Sequence, residues 1–481
     1  MTSTRHRAAI LTIILVSYFM ILLDNSVIFT ALPSLQSELG LSPSQLAWVQ
    51  DAYTLVFGGL LLLGARAGDL LGRRRVFVFG LAVFAIASLL IAVAPAAWWI
   101  ITARALQGVG AAIVAPSALS LLTASFEGAE RDRAVAWYAA TAGIGASLGM
   151  LVGGAAATLL SWRAGFWLNV PIGAAMILLA PRFLPETETA RGRFDVVGAL
   201  TSTLGIGALV FGLLHGSEAG WADPIALASF AAAVALLIVF VFAEARAAQP
   251  ILPLRLFRSR TRTGAYLVRL TYLGAMIGFF FFTTQFLQGV LGFTALQAGL
   301  AFLPMTLVNF VVALAIPRLV GRIGGTWPLV VGILLTLAGM LWLGQLGAHS
   351  TYVTGVALPM LLIGAGQGLA FAPMTSFGIA GASASDAGAA SGAVNTFHQV
   401  GMSLGLGILV AVAAASDVPG ADPAVALSAE VSAALTGAAV LLGIALTLAL
   451  VLIVPGRRSA GVQGGNTSPS HSPASAPTLE V

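Results

Sequence analysis

Apolar runs constrain this chain more than any other feature. Fourteen stretches of roughly 20 residues or more lie near 8–32, 47–66, 76–95, 98–122, 134–158, 164–184, 195–215, 224–244, 264–288, 297–320, 327–347, 352–374, 391–415 and 429–455. Each is long enough to cross a bilayer as a helix. The Gly and Pro residues inside them are no objection, because bundled membrane helices re-satisfy the freed backbone groups. Mean hydropathy is +0.97 and charged residues make up only 9% of the chain. A soluble domain needs about 25% to cover its surface, so most of this surface must face an apolar medium. The expectation is an all-α integral membrane protein with fourteen transmembrane helices.

Arginine placement tests the count independently. The chain has 23 basic residues, all Arg. With fourteen spans and the N-terminus inside, 20 of the 23 fall on the inner side: Arg5, Arg7, Arg66, Arg73–Arg75, Arg131, Arg133, Arg182, Arg191, Arg193, Arg246, Arg255, Arg258, Arg260, Arg262, Arg318, Arg322, Arg457 and Arg458. Arg163 falls outside, and Arg104 and Arg269 lie within spans. The outer loops carry Glu38, Glu218, Asp223, Asp417, Asp422 and Glu430 instead. This sorting follows the positive-inside rule and predicts both termini on the cytoplasmic face of a multi-pass protein. Arg without Lys suggests a GC-rich bacterial genome, hence the bacterial inner membrane. The same dispersal over many loops argues against nucleic acid as a partner.

The first run follows Arg5 and Arg7 and lacks a small-x-small cleavage site, so it reads as an uncleaved signal anchor. Residues 457–481, rich in Ser, Pro and Gly, read as a disordered cytoplasmic tail. With no Cys, disulfide scaffolds and thiolate metal sites are excluded. No metal and no cofactor is expected. A phosphate-binding loop, a nucleophile triad and a His pair are all missing from the sequence, which argues against an ATP-driven pump and against a membrane enzyme.

An internal repeat divides the chain. Gly145-Ala-Ser-Leu-Gly149 in the fifth run resembles Gly401-Met-Ser-Leu-Gly405 in the thirteenth, 256 residues on. The runs just before them share GVGAAIVAPS from Gly108 and GAGQGLAFAP from Gly364. DLLGRRR from Asp69 has a degraded counterpart, VGRIGGT from Val320. The expected organisation is a six-helix half over 1–190, a two-helix insert over 191–250 and a second six-helix half over 251–456. Paired halves of this kind place a substrate near the midplane between them.

Further stretches are LDNSVIFTALP from Leu23, RALQGVG from Arg104, SWR from Ser161, NVPIG from Asn169, FLQGVLG from Phe286 and GAASG from Gly388. With DLLGRRR, their order and spacing resemble the fourteen-helix drug:proton antiporter branch of the major facilitator superfamily, over roughly residues 10–455. The resemblance implies a major facilitator fold and proton-coupled export of small lipophilic or cationic compounds. It implies proton coupling at Arg104, through control of a nearby carboxylate. It also implies a conformational latch at Asp69, Gly72 and Arg73. The chain departs from the pattern at Ala65 and Ala67-Gly68 in the loop motif, and at Met150, where the antiporter signature has Pro.

The residues allow their own reading beside this. A cation inside a span costs about 2.5–3.5 kcal/mol on insertion scales, so Arg104 either faces the interior with a partner or snorkels outward. Asp24 is the natural partner. Alternatively it is a structural carboxylate bonded to Asn25, Ser26 or backbone. Asp51 reads as a solvated residue at the outer mouth of the second span, beside Trp48 and Tyr53. Gly145, Gly149 and Gly153 recur every four residues and predict close helix packing. Candidates for the cavity wall are Tyr53, Gln107, Gln285, Phe286, Asn309, Asn395 and His398. Arg269 reads as a snorkelling residue, and the Phe279–Phe282 run as partly lipid-facing. An uptake carrier for one metabolite and a dedicated exporter of one antibiotic remain open alternatives. Expected partners are a small-molecule substrate, protons and the lipid bilayer, for a monomer.

Overall fold

The computed structural model describes residues 4–186, 189, 194–247, 249–383, 386–416 and 420–455. Arg191, Arg193, Asp417, Arg457, Arg458 and the 457–481 tail therefore lie outside the described residues. Among the described residues there is no strand, and the α-helices follow in this order: α1 (Thr4–Leu39), α2 (Pro43–Leu71), α3 (Arg73–Ala92), α4 (Ala97–Ser125), α5 (Gly128–Leu159), α6 (Trp162–Trp167), α7 (Asn169–Phe183), α8 (Val196–Ala219), α9 (Pro224–Arg246), α10 (Arg260–Gly289), α11 (Ala295–Ala301), α12 (Leu303–Ile323), α13 (Thr326–Leu343), α14 (Leu358–Ile379), α15 (Ala387–Ala414) and α16 (Pro423–Leu448).

Local chemistry sets the boundaries. Ser42 accepts from the Gln45 backbone N–H while the Gln45 side chain accepts from the Ser42 N–H, and Pro43 opens the first turn of α2. The break between α2 and α3 falls at Gly72, whose φ of +99° suits a residue without Cβ. The run expected at 164–184 is α6 plus α7, and that expected at 297–320 is α11 plus α12. In both, a proline just past the join (Pro171, Pro304) removes an N–H that would close the preceding turn. Thirteen helical segments among the described residues are long and apolar enough to span a membrane. The remaining expected run lies in α5, a helix of 32 residues. Helices overrun the apolar runs by a turn or two at their ends, as α1 does in reaching Leu39, since backbone hydrogen bonding does not stop where the apolar side chains do.

Two groups of helices emerge. α1 packs on α4, α5 and α7, α2 on α4, and α3 on α4 and α7. Separately, α10 packs on α14, α15 and α16, and α13 on α14 and α16. The groups meet along α2 and α15, between α5 and α11, and between α1 and α10. α8 rests against α2 and α15, and α9 packs on α8. On α9, Val234, Ile238, Val241 and Phe242 are exposed, as befits a helix that is apolar all round and faces lipid.

The glycine repeat has a structural meaning. A Cβ on Gly149 would lie 2.7 Å from the Leu23 carbonyl oxygen on α1, and one on Gly153 2.7 Å from the Val27 Cα. In the other group, a Cβ on Gly405 would lie 2.1 Å from the Gly274 Cα on α10, and one on Gly401 2.3 Å from the Leu270 carbonyl oxygen. The same stripe thus brings α5 onto α1 and α15 onto α10 at backbone contact. Gly145 belongs to it as well, against Leu22 and Phe19.

The Phe279–Phe282 run does not meet the expectation of lipid exposure. Phe279, Phe281 and Phe282 are buried, and Phe280 lies among Phe29, Phe279 and Phe302. α10 is covered on several sides at once, by α1, α14, α15 and α16, so the sequence of one helix alone misjudged its environment.

Candidate functional site

Asp24 and Arg104 meet. Arg104 Nη1 donates to Asp24 Oδ2 at 2.8 Å, and both side chains are wholly buried. The pair is the centre of a network built by five helices. From α4, Gln107 Nε2 donates to Asp24 Oδ1 at 2.9 Å and to Ser88 Oγ on α3 at 2.8 Å, while Gln107 Oε1 accepts from Arg104 Nη1 at 2.6 Å. From α7, Asn169 Nδ2 donates to Asp24 Oδ1 at 2.6 Å. From α2, the Val49 carbonyl accepts from Arg104 Nε at 3.0 Å, and the Tyr53 ring lies 4.3 Å from the guanidinium carbon. Asp24 therefore accepts three donors. That is the arrangement a carboxylate needs to remain charged away from water. The i, i+3 spacing of Arg104 and Gln107 puts both on one face of α4, and the glycine stripe lets α5 close over the α1 face beside Asp24. Arg104 does not snorkel, and Asp24 is not held by Asn25 or Ser26.

Ser88 and Asn169 are the members that sequence reasoning missed. Asn169 stood in a quoted motif without a role, and Ser88 is one small polar residue in an apolar run. Only the fold brings them within reach of Asp24.

Asp51 corrects an expectation. It is wholly buried, not solvated, and neither carboxyl oxygen accepts a hydrogen bond among the described residues. α15 lies across this part of α2 and turns Ser403 toward it. Distance from the helix end predicted exposure; the neighbouring helix removed it.

The loop residues meet only in part. Arg73 donates to Asp69 Oδ1 through Nε at 3.2 Å and Nη2 at 3.0 Å, across the Gly72 break. The start of α3, however, is met by Glu186, which accepts from the Arg74 backbone N–H at 3.1 Å and sits 3.5 Å from the Arg74 Nε. The carboxylate at that helix N-terminus is therefore Glu186.

The expected cavity residues do not share one cavity. Tyr53 and Gln107 are enclosed around the ion pair, and Phe286 is buried in the apolar core. Gln285 lines a cleft of about 180 Å³ with Pro33, Pro43, Phe281 and Phe282, between α1 and α2 on one side and α10, α15 and α16 on the other. Asn309 is partly buried on α12 and Asn395 is exposed on α15, where it donates to the Ser391 carbonyl at 3.3 Å. His398 is elsewhere again. It faces Arg269, whose Nη2 lies 3.1 Å from its Nδ1, while Arg269 Nη1 donates to Thr375 Oγ1 at 2.9 Å. Arg269 is 3% exposed and does not snorkel, because α14 and α15 cover it.

A many-spanned helical bundle in two packed groups, with a buried, hydrogen-bonded Arg–Asp pair in one of them, is the build of a membrane transporter. Comparison with known proteins is specific: residues 14–406 match the Major Facilitator Superfamily, and the chain belongs to that family. A cephamycin export protein of Amycolatopsis lactamdurans is 39% identical over 417 residues, 85% of each chain. A puromycin resistance protein of Streptomyces alboniger is 36% identical over 477 residues, 95% of this chain and 93% of its own. A multidrug resistance protein, Stp, of Mycobacterium tuberculosis is 33% identical over 85% of this chain and 77% of its own. Among solved structures, a bacterial homologue of the human lysosomal transporter Spinster aligns with a TM-score of 0.68 over 98% of this chain and 100% of its own, at 16% identity, and so shares the fold. The protein is a multi-pass membrane transporter related to antibiotic and drug efflux proteins, and not an enzyme.

Proposed function

We propose that the protein is a fourteen-span, proton-driven antiporter that exports small lipophilic or cationic compounds from the bacterial cytoplasm across the inner membrane. α5 supplies the fourteenth span; its 32 residues extend about 48 Å at 1.5 Å each. Residues 1–190 and 251–456 act as two six-span halves that rock against each other, 191–250 is an insert, both termini are cytoplasmic, and the working unit is a monomer. The observation that carries the reading is the Asp24–Arg104 pair.

The pair works as a proton switch. With Asp24 charged, its carboxylate holds Arg104, Gln107 and Asn169, and so ties α1 to α4 and α7. A proton on Asp24 removes the counter-charge, weakens these bonds and leaves Arg104 to seek other acceptors. The α1–α4–α7 packing then has a second arrangement available. Cargo that displaces the proton, or that is displaced by it, couples the two fluxes, because one carboxylate does not hold both. The Arg73–Asp69 pair and the Glu186 contacts near Gly72 clasp the cytoplasmic ends of α2, α3 and α7 and set the balance between states. About 2.3 kcal/mol per charge per 100 mV and about 1.4 kcal/mol per pH unit are available to drive this, enough for roughly thousand-fold accumulation per proton.

A narrower reading, a dedicated exporter of one antibiotic, is supported by the single compounds after which the cephamycin and puromycin relatives are named. One experiment separates these readings and also tests uptake. The gene is expressed in an efflux-deficient bacterium, and ethidium retention and susceptibility to an antibiotic panel are measured. Lower ethidium retention and broad protection support multidrug export. Protection against one compound supports the dedicated exporter, and unchanged retention and susceptibility throughout contradict export.

A further inference from the structure

Arg269 lies on α10 with its guanidinium between α14 and α15, and among the described residues no carboxylate is within ion-pair distance of it. Its contacts are neutral. Thr375 Oγ1 accepts from Nη1 at 2.9 Å and itself donates to the Phe371 carbonyl at 3.1 Å. His398 Nδ1 lies 3.1 Å from Nη2. A guanidinium only donates, so His398 must accept at Nδ1 and carry its proton on Nε2. The far edge of the imidazole is therefore a further N–H donor. Arg269 Nε has no partner among the described residues. The Phe371 ring lies 4.6 Å from the guanidinium carbon, meets the His398 ring edge-on at 6.0 Å, and is 36% exposed.

A cation buried without a counter-charge costs several kcal/mol, and such residues in membrane bundles mark functional positions. What the cluster lacks is an anion, and what it offers is a set of N–H donors beside a partly exposed aromatic ring. We infer that Arg269, His398 and Phe371 form a subsite for the carboxylate of an amphipathic cargo, the oxyanion facing the guanidinium and imidazole and the ring or apolar body lying on Phe371. This adds a cargo class to the transport reading, on which it rests. It implies that anionic as well as cationic compounds are carried.

The test is binding without any gradient, so failure of proton coupling and failure of the subsite are told apart. The full-length protein in phosphatidylcholine nanodiscs is titrated by calorimetry with benzylpenicillin and naproxen and with the methyl ester of each. The free acids are expected to bind about tenfold or more tightly than their esters, the factor a charge-assisted hydrogen bond supplies. Arg269→Gln is expected to bring each acid to the affinity of its ester while leaving the ester within about twofold, and His398→Ala to give a smaller, acid-selective loss. His398→Ala retains the cation and so carries the test if Arg269→Gln fails to fold. Equal affinity of acid and ester, absence of acid binding, or parallel loss of both in the variants overturns the assignment. So does loss of the acid preference when phosphatidylglycerol is added to the nanodiscs, which would assign the site to a lipid headgroup.

Discussion

Arg104 in one group of helices and Arg269 in the other are both buried, and the two solutions differ. In the group from α1 to α7, Arg104 has a carboxylate, an amide, a carbonyl and an aromatic face around it, and Asp24 is matched by three donors. In the group from α10 to α16, Arg269 has a hydroxyl, an imidazole and a phenyl ring, and no carboxylate among the described residues. The backbone packing is nevertheless alike, since the same glycine stripe joins α5 to α1 and α15 to α10. A shared scaffold with unlike charges teaches that packing and chemistry are separable in a repeated fold. A self-contained pair suits a switch thrown by a proton, and an unmatched cation suits a partner that comes and goes.

Five substitutions probe this contrast, from the largest effect to the smallest. Arg104→Met leaves Asp24 buried without its cation, and breaking such a pair costs about 3–5 kcal/mol; a strong fall in folded yield and melting temperature is expected, and wild-type values would show the pair to be dispensable. Gly405→Leu drives a side chain into the Gly274 backbone and is expected to abolish folded protein, or at least to cost several kcal/mol in thermal unfolding; a near-native melting curve would mean that the α10–α15 approach is looser than described.

Asp51→Asn is the sharper contrast. This acid has no cation to hold, so an isosteric neutral side chain should leave drug transport in vesicles within about twofold of wild type, whereas Asp24→Asn should abolish it. Equal loss in both variants would give Asp51 a place in coupling. The smallest effect belongs to the segment just before α10. Arg255 hydrogen-bonds Asp386 at 2.9 Å and, with that bond as the main cause, holds its carboxyl below the usual range. A depressed folded-state value stabilises above the ordinary carboxylate pKa of about 3.9 and is lost as pH falls through the folded value. The melting difference between wild type and Asp386→Asn should therefore be small and constant at neutral pH and narrow below about pH 4. A difference that widens in acid would reverse the sign.

What could be read from the sequence was what depends on one helix at a time. Apolar runs located the spans, four-residue spacing found the Gly145–Gly153 stripe, and depth within a span singled out Asp24 and Arg104. What depends on neighbouring helices was not legible. Ser88 and Asn169 reach Asp24 from α3 and α7, and nothing in their own segments says so. Asp51 and Arg269 lie deeper than their positions along the helix suggest, for one reason: α15 covers both. The cavity candidates scattered because polarity alone does not say which face of a helix meets the other half.

The most direct test of the central claim is a proton flux. Purified protein is reconstituted in vesicles holding a pH-sensitive dye, and ethidium is added against an imposed pH gradient. Ethidium-dependent proton movement opposite in direction to the drug is expected in wild type and none in Asp24→Asn. Proton movement in the same direction as the drug, or full exchange in Asp24→Asn, would contradict that claim.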